Sequence, residues 1–368
     1  MKRRLLLCLS LSTACEISGG KKQDTTVVVP SRAATDTIRR DSGTVGVPAV
    51  PPSDSASRVT AADTGVVQIS PSQPRRGGVI RVVAQGLVME APRCSWHGSP
   101  LPCYGSTEGV RALIPLSADD SAGTFALTID RPTGGRITRQ ITVADAEFGQ
   151  QLVFLDSAHY ALVRRGADVA RDARSVRQLL SAESPEQRWS GKWSLPVRAA
   201  GGKSSAYGVD RFYYRASDSA RAITVTQGQH SRGSFGNDTS QGGLTDVPSW
   251  RHAGIDVAVP KGTPVRAPAA GVVADVSDYI LTGHTVIVDH GQGVHSAFFH
   301  LDTALVRRGD VVREGSVLGR VGATGLATGP HLHYGVYIHG RDVDPAAWNA
   351  LPVMSSLAGD SAAKRKRP

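Results

Sequence analysis

The sequence is poor in aromatic residues. Phe, Trp and Tyr make up 5% of its 368 residues, and they do not interleave with the basic side chains. Nucleic-acid-binding proteins combine basic patches with such interleaved aromatics, so the pattern argues against a nucleic-acid partner. The formal net charge of +10 favours instead a partner among the anionic polymers or lipid head groups of a cell envelope.

Apolar runs at the N-terminus are too short to span a membrane. Residues 5–9 are apolar, follow three basic residues and lead through small residues to Cys15. This order predicts an export signal over residues 1–15. Its ending resembles a bacterial lipoprotein signal, in which Cys15 would be lipidated and anchor the chain to a membrane. A plain cleaved signal is the alternative, because Ser12 stands where lipoprotein signals usually carry Leu.

Both ends of the chain lack the periodicity of helices or strands. Residues 16–65 are rich in Ser, Thr, Asp, Pro and Ala, which predicts a disordered tether. Residues 351–368 end in Lys364-Arg-Lys-Arg367, and we interpret them as a disordered, solvated basic tail.

Cysteine is scarce, with four residues in the chain. Cys8 and Cys15 belong to the predicted signal, which leaves Cys94 and Cys103 in a turn-rich loop. In an exported protein this pair predicts a disulfide. A metal site that includes His97 is the weaker interpretation, because no fourth ligand lies near it in the sequence.

Short β-branched runs separated by Gly, Pro and Asp occupy residues 66–146. Their spacing predicts an all-β sandwich of the immunoglobulin-like kind. We find no catalytic constellation in it, so we expect a binding or spacing role. A connecting segment, 147–192, follows, and its apolar stripe predicts a helix between Asp168 and Glu183.

Residues 193–350 are predicted to form an antiparallel all-β domain that contains the chemistry. Histidine and aspartate are zinc ligands in proteins, and a catalytic site uses three of them and leaves a position for water. The candidate residues here are His252, Asp256, His300, His331 and His333.

The spacing of these candidates constrains the fold. His331 and His333 are two apart in a β-like run and should lie on one face of the sheet. His252 and Asp256 are four apart, about 13 Å in an extended strand, which is too far for a shared ion. The chain must therefore bend between them, and we expect Gly254 to permit the bend.

The blocks around these residues resemble the lysostaphin and LytM family of zinc metallopeptidases, which cleave peptide cross-links in bacterial peptidoglycan. The family's His-x-Gly-x-Asp appears as His252-Ala-Gly-Ile-Asp256, and its Tyr-x-His-Leu as Phe298-Phe-His300-Leu. Its Gly-Pro-His-Leu-His appears as Gly329-Pro-His331-Leu-His333. More weakly, Tyr207-Gly208 and Arg211 resemble the residues that open the family's domain. The resemblance covers about residues 250–348.

The resemblance implies a domain of the duplicated-hybrid type with one zinc ion. Its ligands would be His252, Asp256 and His333, and His331 and His300 would be the non-ligating catalytic histidines. We expect His331 to be the base and His300 to contact the substrate or the oxyanion, and these two roles could be exchanged.

The chain departs from the family pattern without losing a ligand. His284, Phe298 and Gly335 stand where the family often has Asn, Tyr and Glu. An insertion over about 213–250 is loop-like and predicts a rim over the cleft. Four further histidines are interpreted as surface or turn residues rather than ligands: His230, His290, His295 and His339.

The sequence thus predicts an exported zinc endopeptidase whose partner is peptidoglycan. One alternative is a LytM-like regulatory module that activates a cell-wall amidase without cutting anything itself. A second is an envelope-binding protein that acts through its β-sandwich. The sequence does not fix the bond cleaved or the oligomeric state.

Overall fold

The longer strands follow the β-branched runs of the sequence, and the longest helix follows its amphipathic stripe. The computed structural model describes residues 26–29, 66–106, 109–132, 134–198, 203–218 and 248–351. The strands are β1 (Thr26–Val29), β2 (Val67–Ser70), β3 (Val79–Gln85), β4 (Cys94–Trp96), β5 (Ser99–Leu101), β6 (Cys103–Ser106), β7 (Gly109–Pro115), β8 (Gly123–Asp130), β9 (Arg136–Val143), β10 (Gln150–Leu155), β11 (Lys203–Ser205), β12 (Asp210–Arg215), β13 (Ser249–Arg251), β14 (Ile255–Val257), β15 (Pro264–Arg266), β16 (Gly271–Tyr279), β17 (Gly283–Gly291), β18 (Val294–Ala304), β19 (Val311–Val312), β20 (Val317–Val321), β21 (Leu332–Ile338) and β22 (Arg341–Val343). The helices are α1 (Ser157–Val163), α2 (Gly166–Leu180) and α3 (Pro345–Ala350), and residues Ala216–Asp218 form a 3-10 turn.

Strands β2 to β9 form the N-terminal sandwich. One sheet has the order β2-β3-β7-β6 and the other β5-β4-β8-β9, and every pairing is antiparallel. Alternate side chains of both sheets, such as Ile80, Ile114 and Leu127, meet in one apolar core. Cys94 and Cys103 form the predicted disulfide between the two sheets. The loop that holds them was not predicted to contain strands, yet β4, β5 and β6 lie in it, because pairing to β7 and β8 supports very short strands.

The C-terminal region is built on a ten-stranded sheet. Its main path is β11-β14-β21-β18-β17-β16-β19, with β15, β20 and β22 attached to it. All of its pairings are antiparallel, as predicted. Its central strands are buried on both faces, because helix α2 and the rest of the chain cover them. The prediction of a mainly β protein is confirmed.

A second, smaller sheet stands beside this one, with the order β1-β10-β12-β13. Strands β10 and β12 run parallel, with Gln151 opposite Arg211 and Val153 opposite Tyr213. The connecting segment 147–192 therefore contains a strand that the sequence did not predict. Strand β1 also lies within the predicted tether and pairs antiparallel with β10, so that prediction is wrong for residues 26–29.

Two helices link the sheets. Helix α2 ends at Leu180, three residues before the predicted end, and its apolar stripe packs Leu180 and Val176 on Ile287 and Phe299 of the ten-stranded sheet. The preceding helix α1 was not predicted, although Asp156 caps it by accepting a hydrogen bond from the backbone N–H of His159. No helix in the described ranges is long and apolar enough to cross a membrane.

The sandwich contacts the C-terminal region through buried polar groups. The Tyr207 hydroxyl donates to Asp342 Oδ2 at 2.6 Å and accepts the backbone N–H of Ala118 at 2.9 Å. Burial and the Asp342 carboxylate raise the pKa of Tyr207, so this hydroxyl stays protonated. The predicted export signal, residues 16–25 and 30–65 of the tether, most of the insertion and residues 352–368 of the tail lie outside the described residues.

Candidate metal centre

Three of the predicted site residues meet at the junction of the two sheets. His252 directly follows β13 of the small sheet, Asp256 lies on β14, and His333 lies on β21. In the register of β14 and β21, Asp256 is directly opposite His333. The two strands therefore place one carboxylate and one imidazole side by side, and the bend after β13 adds the second imidazole.

The three side chains form a buried triangle. Asp256 Oδ1 lies 3.0 Å from His252 Nε2 and 3.0 Å from His333 Nδ1, and the two nitrogens are 2.9 Å apart. Exposure is 3% for His252 and 6% for both Asp256 and His333. Of the described residues, these are the group of three or more His, Cys, Asp or Glu side chains that could hold a metal ion.

The hydrogen bonds of the triangle favour a cation at its centre. His252 Nδ1 lies 2.7 Å from the Ala206 carbonyl oxygen, which assigns the ring proton to Nδ1 and leaves a lone pair on Nε2. That lone pair faces Asp256 Oδ1, which is also an acceptor. Two acceptors at this distance repel each other unless a cation lies between them. The edges are also close to the separation of about 3.3 Å between ligands that hold zinc tetrahedrally with bonds of about 2.0–2.1 Å.

Gly254 has a different role from the one predicted. The chain does bend at Gly254, but its φ is outside the left-handed region where glycine is favoured. A Cβ at this position would lie 2.5 Å from the Tyr334 carbonyl oxygen and 2.7 Å from His333 Nε2. Glycine is required here because it leaves space for the His333 ring.

His331 and His300 flank the triangle. His331 Nε2 is 3.7 Å from Asp256 Oδ1, and the rings of His331 and His300 are 4.7 Å apart. His331 Nδ1 lies 2.8 Å from the Gly329 carbonyl and His300 Nδ1 lies 2.8 Å from the Thr324 carbonyl. Both rings therefore carry their proton on Nδ1, and each leaves Nε2 as an acceptor.

Burial and charge fix the protonation of the cluster. Burial opposes ionisation of Asp256, but Arg211 and the two neighbouring histidines hold its pKa well below the ordinary 3.8. Burial lowers the pKa of His333 to about 4, and burial together with the nearby His331 and His333 lowers the pKa of His300 well below 6.5. The carboxylate is thus charged and these two rings are neutral at physiological pH, which is the state that binds a metal.

A cleft of about 250 Å³ opens beside the triangle. One wall comes from the small sheet and the other from the loop that leads to His331. The lining residues are Gln151, Val153, Leu155, Ser205, Arg211, Tyr213, Asp256, Ala258, Leu326, Thr328, Gly329, Pro330 and His331. A larger cavity of about 440 Å³ lies near Arg75 and Phe148, but no histidine lines it, so we place the chemistry in the smaller cleft.

The two ends of the predicted insertion meet beside this cleft, which Tyr213 lines. Tyr213 and Trp250 stack with ring centroids 4.1 Å apart, and the Tyr213 N–H donates to the Pro248 carbonyl. Residues 213–215 belong to β12, so the insertion begins later than predicted. Residues 219–247, which carry the predicted rim and His230, lie outside the described residues.

Among the described residues, no other histidine joins the triangle. His290 and His295 are fully buried in the ten-stranded sheet, so their interpretation as surface or turn residues is wrong. His284 pairs with Asp278, and His339 Nδ1 is 2.6 Å from Glu183 Oε1. Gly335, another departure from the family pattern, lies beside Tyr337 on the same face of its strand. A Cβ at position 335 would lie 2.6 Å from the Tyr337 ring, so glycine leaves space for this ring.

Among the polar residues of the small sheet, sequence reasoning noted Arg211 through the resemblance without giving it a role, and it missed Gln151. Arg211 Nη2 donates to Asp256 Oδ2, and Arg211 Nε donates to Gln151 Oε1 at 2.9 Å. Gln151 lies in a segment without any recognisable motif. Arg211 was noted from its place in the opening of the domain, but nothing in the sequence indicates its partner Gln151.

The part of the chain that contains the triangle is similar in sequence to known proteins. Residues 250–345 match the model of Peptidase family M23. DD-carboxypeptidase/endopeptidase Mpg of Neisseria meningitidis serogroup B is 44% identical over 116 residues, 31% of this chain and 26% of that protein. Peptidoglycan DD-endopeptidase ShyA of Vibrio cholerae is 39% identical over 106 residues, 29% of this chain and 24% of that protein. The chain thus spans about a quarter of the length of these curated relatives.

A solved structure covers more of the chain. A crystal structure from Pseudomonas aeruginosa, described as a peptidase M23, has a TM-score of 0.52 and 28% sequence identity. The match covers 75% of this chain and 95% of that one.

Proposed function

We propose that this chain, whose residues 250–345 are a Peptidase family M23 domain, is an exported zinc-dependent endopeptidase that hydrolyses peptide cross-links of bacterial peptidoglycan. The observation that carries the proposal is the buried triangle of His252, Asp256 and His333 with two further imidazoles beside it. The proposal includes the division into a sandwich (66–146), a connecting segment (147–192) and a metallopeptidase domain (193–350).

The donor set supports zinc. Two imidazole nitrogens and one carboxylate oxygen are a ligand combination that catalytic zinc sites use. His252, Asp256 and His333 would hold the ion. When bound, zinc supplies a Lewis acid that polarises the scissile carbonyl and makes a water molecule easier to deprotonate.

His331 is proposed as the general base. Its Nε2 carries a lone pair, its Nδ1 is fixed by Gly329, and 14% of its side chain remains exposed to the cleft. This ring can therefore accept the proton of the attacking water and then pass it to the leaving amine. The backbone carbonyl that fixes its Nδ1 keeps the accepting nitrogen directed at the cluster.

His300 is proposed to contact the substrate. Its Nδ1 proton is committed to the Thr324 carbonyl, so its free Nε2 accepts a hydrogen bond, for example from a peptide N–H. Stabilising an oxyanion would require a second proton on this ring, and its burial opposes that charge. The substrate role therefore fits the geometry better than the oxyanion role.

Peptidoglycan as the substrate is supported by the name of one relative, the peptidoglycan DD-endopeptidase ShyA, and endopeptidase activity by the names of both ShyA and Mpg. An export signal over residues 1–15 would bring the chain to the periplasm or cell envelope, where this polymer lies. Lipid anchoring at Cys15 remains part of the proposal, with a plain cleaved signal as its alternative.

The experiment is digestion of purified sacculi by the full chain, with and without a zinc chelator. We expect soluble muropeptides whose release stops on chelation and returns when zinc is added. Their masses identify the bond that is cut. Intact sacculi after incubation with zinc-loaded protein would contradict the proposal and point to amidase activation or envelope binding instead.

A further inference from the structure

We propose that Arg211 is a positioning residue for the metal centre and that Gln151 holds Arg211 in place. This inference rests on the proposed function, because it assigns a role toward the proposed metal. Neither residue lies within the 250–345 match. The small sheet would then orient a metal ligand in addition to forming one wall of the cleft.

The Asp256 carboxylate is divided between two environments. Its Oδ1 faces His252 and His333, and its Oδ2 accepts a hydrogen bond from Arg211 Nη2. The Arg211 and Asp256 side chains are 15% and 8% exposed, so water competes little for this ion pair. With Oδ2 engaged by arginine, Oδ1 is the oxygen left for the metal, and the hydrogen bond opposes rotation of the carboxylate away from this orientation.

Gln151 fixes the arginine from the neighbouring strand. Its Oε1 accepts from Arg211 Nε at 2.9 Å and from Ser205 Oγ at 3.3 Å. Gln151 and Arg211 are Cα partners in the parallel β10–β12 pair, and Gln151 is 5% exposed. A planar guanidinium that is held at Nε and Nη2 has its orientation set, which a lysine ammonium cannot reproduce.

The expected loss of metal affinity follows from the hydrogen bond that Arg211 donates to the Asp256 carboxylate. Without it, one oxygen of a buried carboxylate has lost its partner, and the other oxygen is free to turn away from the two imidazoles. Removing an outer hydrogen-bond partner of a metal ligand typically weakens metal affinity by about 10–100-fold. Removing Gln151 leaves the ion pair in place and should cost less.

A competing role for Arg211 is direct binding of a substrate carboxylate, since it lines the cleft. The contacts of Arg211 argue against it, because Nη2 already donates to Asp256 and Nε to Gln151. The two roles differ in what they change. A positioning residue alters metal affinity in the absence of substrate, whereas a substrate contact alters KM and leaves metal affinity intact.

The test is competition between the full-length protein and a chromophoric zinc chelator, without substrate. We expect Arg211→Gln to raise the zinc dissociation constant by about 10–100-fold. Arg211→Lys should recover part of the loss because it keeps the charge, and Gln151→Ala should lie between Arg211→Lys and the wild type. Thermal unfolding of each metal-free variant shows whether the fold is intact.

Arg188→Gln is the matched control. Arg188 pairs with Asp289 at 3.3 Å, with side chains 23% and 18% exposed, and neither residue lines the cleft. This variant loses a similar ion pair and should keep wild-type zinc affinity. Equal losses in Arg188→Gln and Arg211→Gln would overturn the inference, because the effect would then be general destabilisation.

Other outcomes are equally decisive. Wild-type affinity in Arg211→Gln, or a higher KM with unchanged affinity, contradicts the positioning role. If Arg211→Gln does not fold, Arg211→Lys and Gln151→Ala carry the test, and wild-type affinity in both overturns it. A wild type that binds zinc but leaves peptidoglycan intact would contradict the proposed function alone.

Discussion

The sandwich and the ten-stranded region are both β-rich, yet they bury different chemistry. Among described residues 66–146, the buried polar side chains are Arg111 and Ser117. Among described residues 248–351 there are ten, and five of them are histidines. Burying a polar group costs free energy unless it is paired. The sandwich therefore has the composition of a unit selected for stability, and the C-terminal region retains polar groups that stability alone does not require.

The largest effect is expected when one of the buried histidines of the C-terminal region, His333, is removed. His333→Ala should lose both zinc and peptidoglycan cleavage, whereas His331→Ala should keep zinc and lose about 10²–10⁴-fold in turnover, the size of a general-base contribution. Metal analysis and muropeptide release measure the two effects. His284→Ala is the control, because His284 is partly exposed and paired with Asp278. Equal zinc loss in both variants would contradict the assignment of His331 as a non-ligand.

The second prediction concerns the sandwich, from whose core a substitution removes apolar volume. Leu127 is 1% exposed in its core, and Leu127→Ala should reduce the free energy of unfolding by about 2–5 kcal/mol. The activity of the molecules that remain folded should be unchanged, because the cleft takes no residue from strands β2 to β9. Denaturant unfolding and turnover corrected for folded fraction provide the measurement. Unchanged stability with reduced turnover would give the sandwich a catalytic role instead.

The third prediction concerns His290, a buried histidine that is not part of the metal centre. His290 is 0% exposed, its Nδ1 lies 2.8 Å from the Ala270 carbonyl, and its ring lies 4.4 Å from that of Trp193. Burial lowers its pKa from 6.5 to about 4. The unfolded chain therefore binds a proton more readily between these values. The neutral His290 ring therefore makes its full contribution to stability above pH 6.5. As the pH falls toward 4, this contribution is lost and the free energy of unfolding falls by about 3 kcal/mol.

Denaturant unfolding of wild type and His290→Gln over this pH range isolates the effect. His295, Asp289 and Arg188 also act on His290 and remain in both proteins. The difference in unfolding free energy between the two should shrink as the pH falls. A constant difference would show that folding does not lower the pKa of His290.

Sequence reasoning reached the site where ligands are adjacent in motifs. His252 and Asp256 are four residues apart, and the His331-Leu-His333 run belongs to a strand, so local spacing indicated how they could converge. The runs that became β7, β8, β9, β17 and β21 are β-branched and were predicted for the same reason.

The remainder depends on long-range pairing that local patterns do not encode. Gln151 and Arg211 are 60 residues apart and meet because β10 and β12 run parallel. Strands of two to four residues, such as β4, β5 and β19, are held by their neighbours rather than by their own propensity. His290 and His295 were misplaced because turn-like flanking glycines suggested exposure, whereas the surrounding sheet buries both rings.

The most direct test of the account is anomalous diffraction at the zinc edge on crystals of the active protein. The account predicts one peak about 2.0–2.2 Å from each of His252 Nε2, Asp256 Oδ1 and His333 Nδ1, with His331 and His300 beyond bonding distance. A peak bound to other residues, or a fully active crystal without zinc at this triangle, would contradict it.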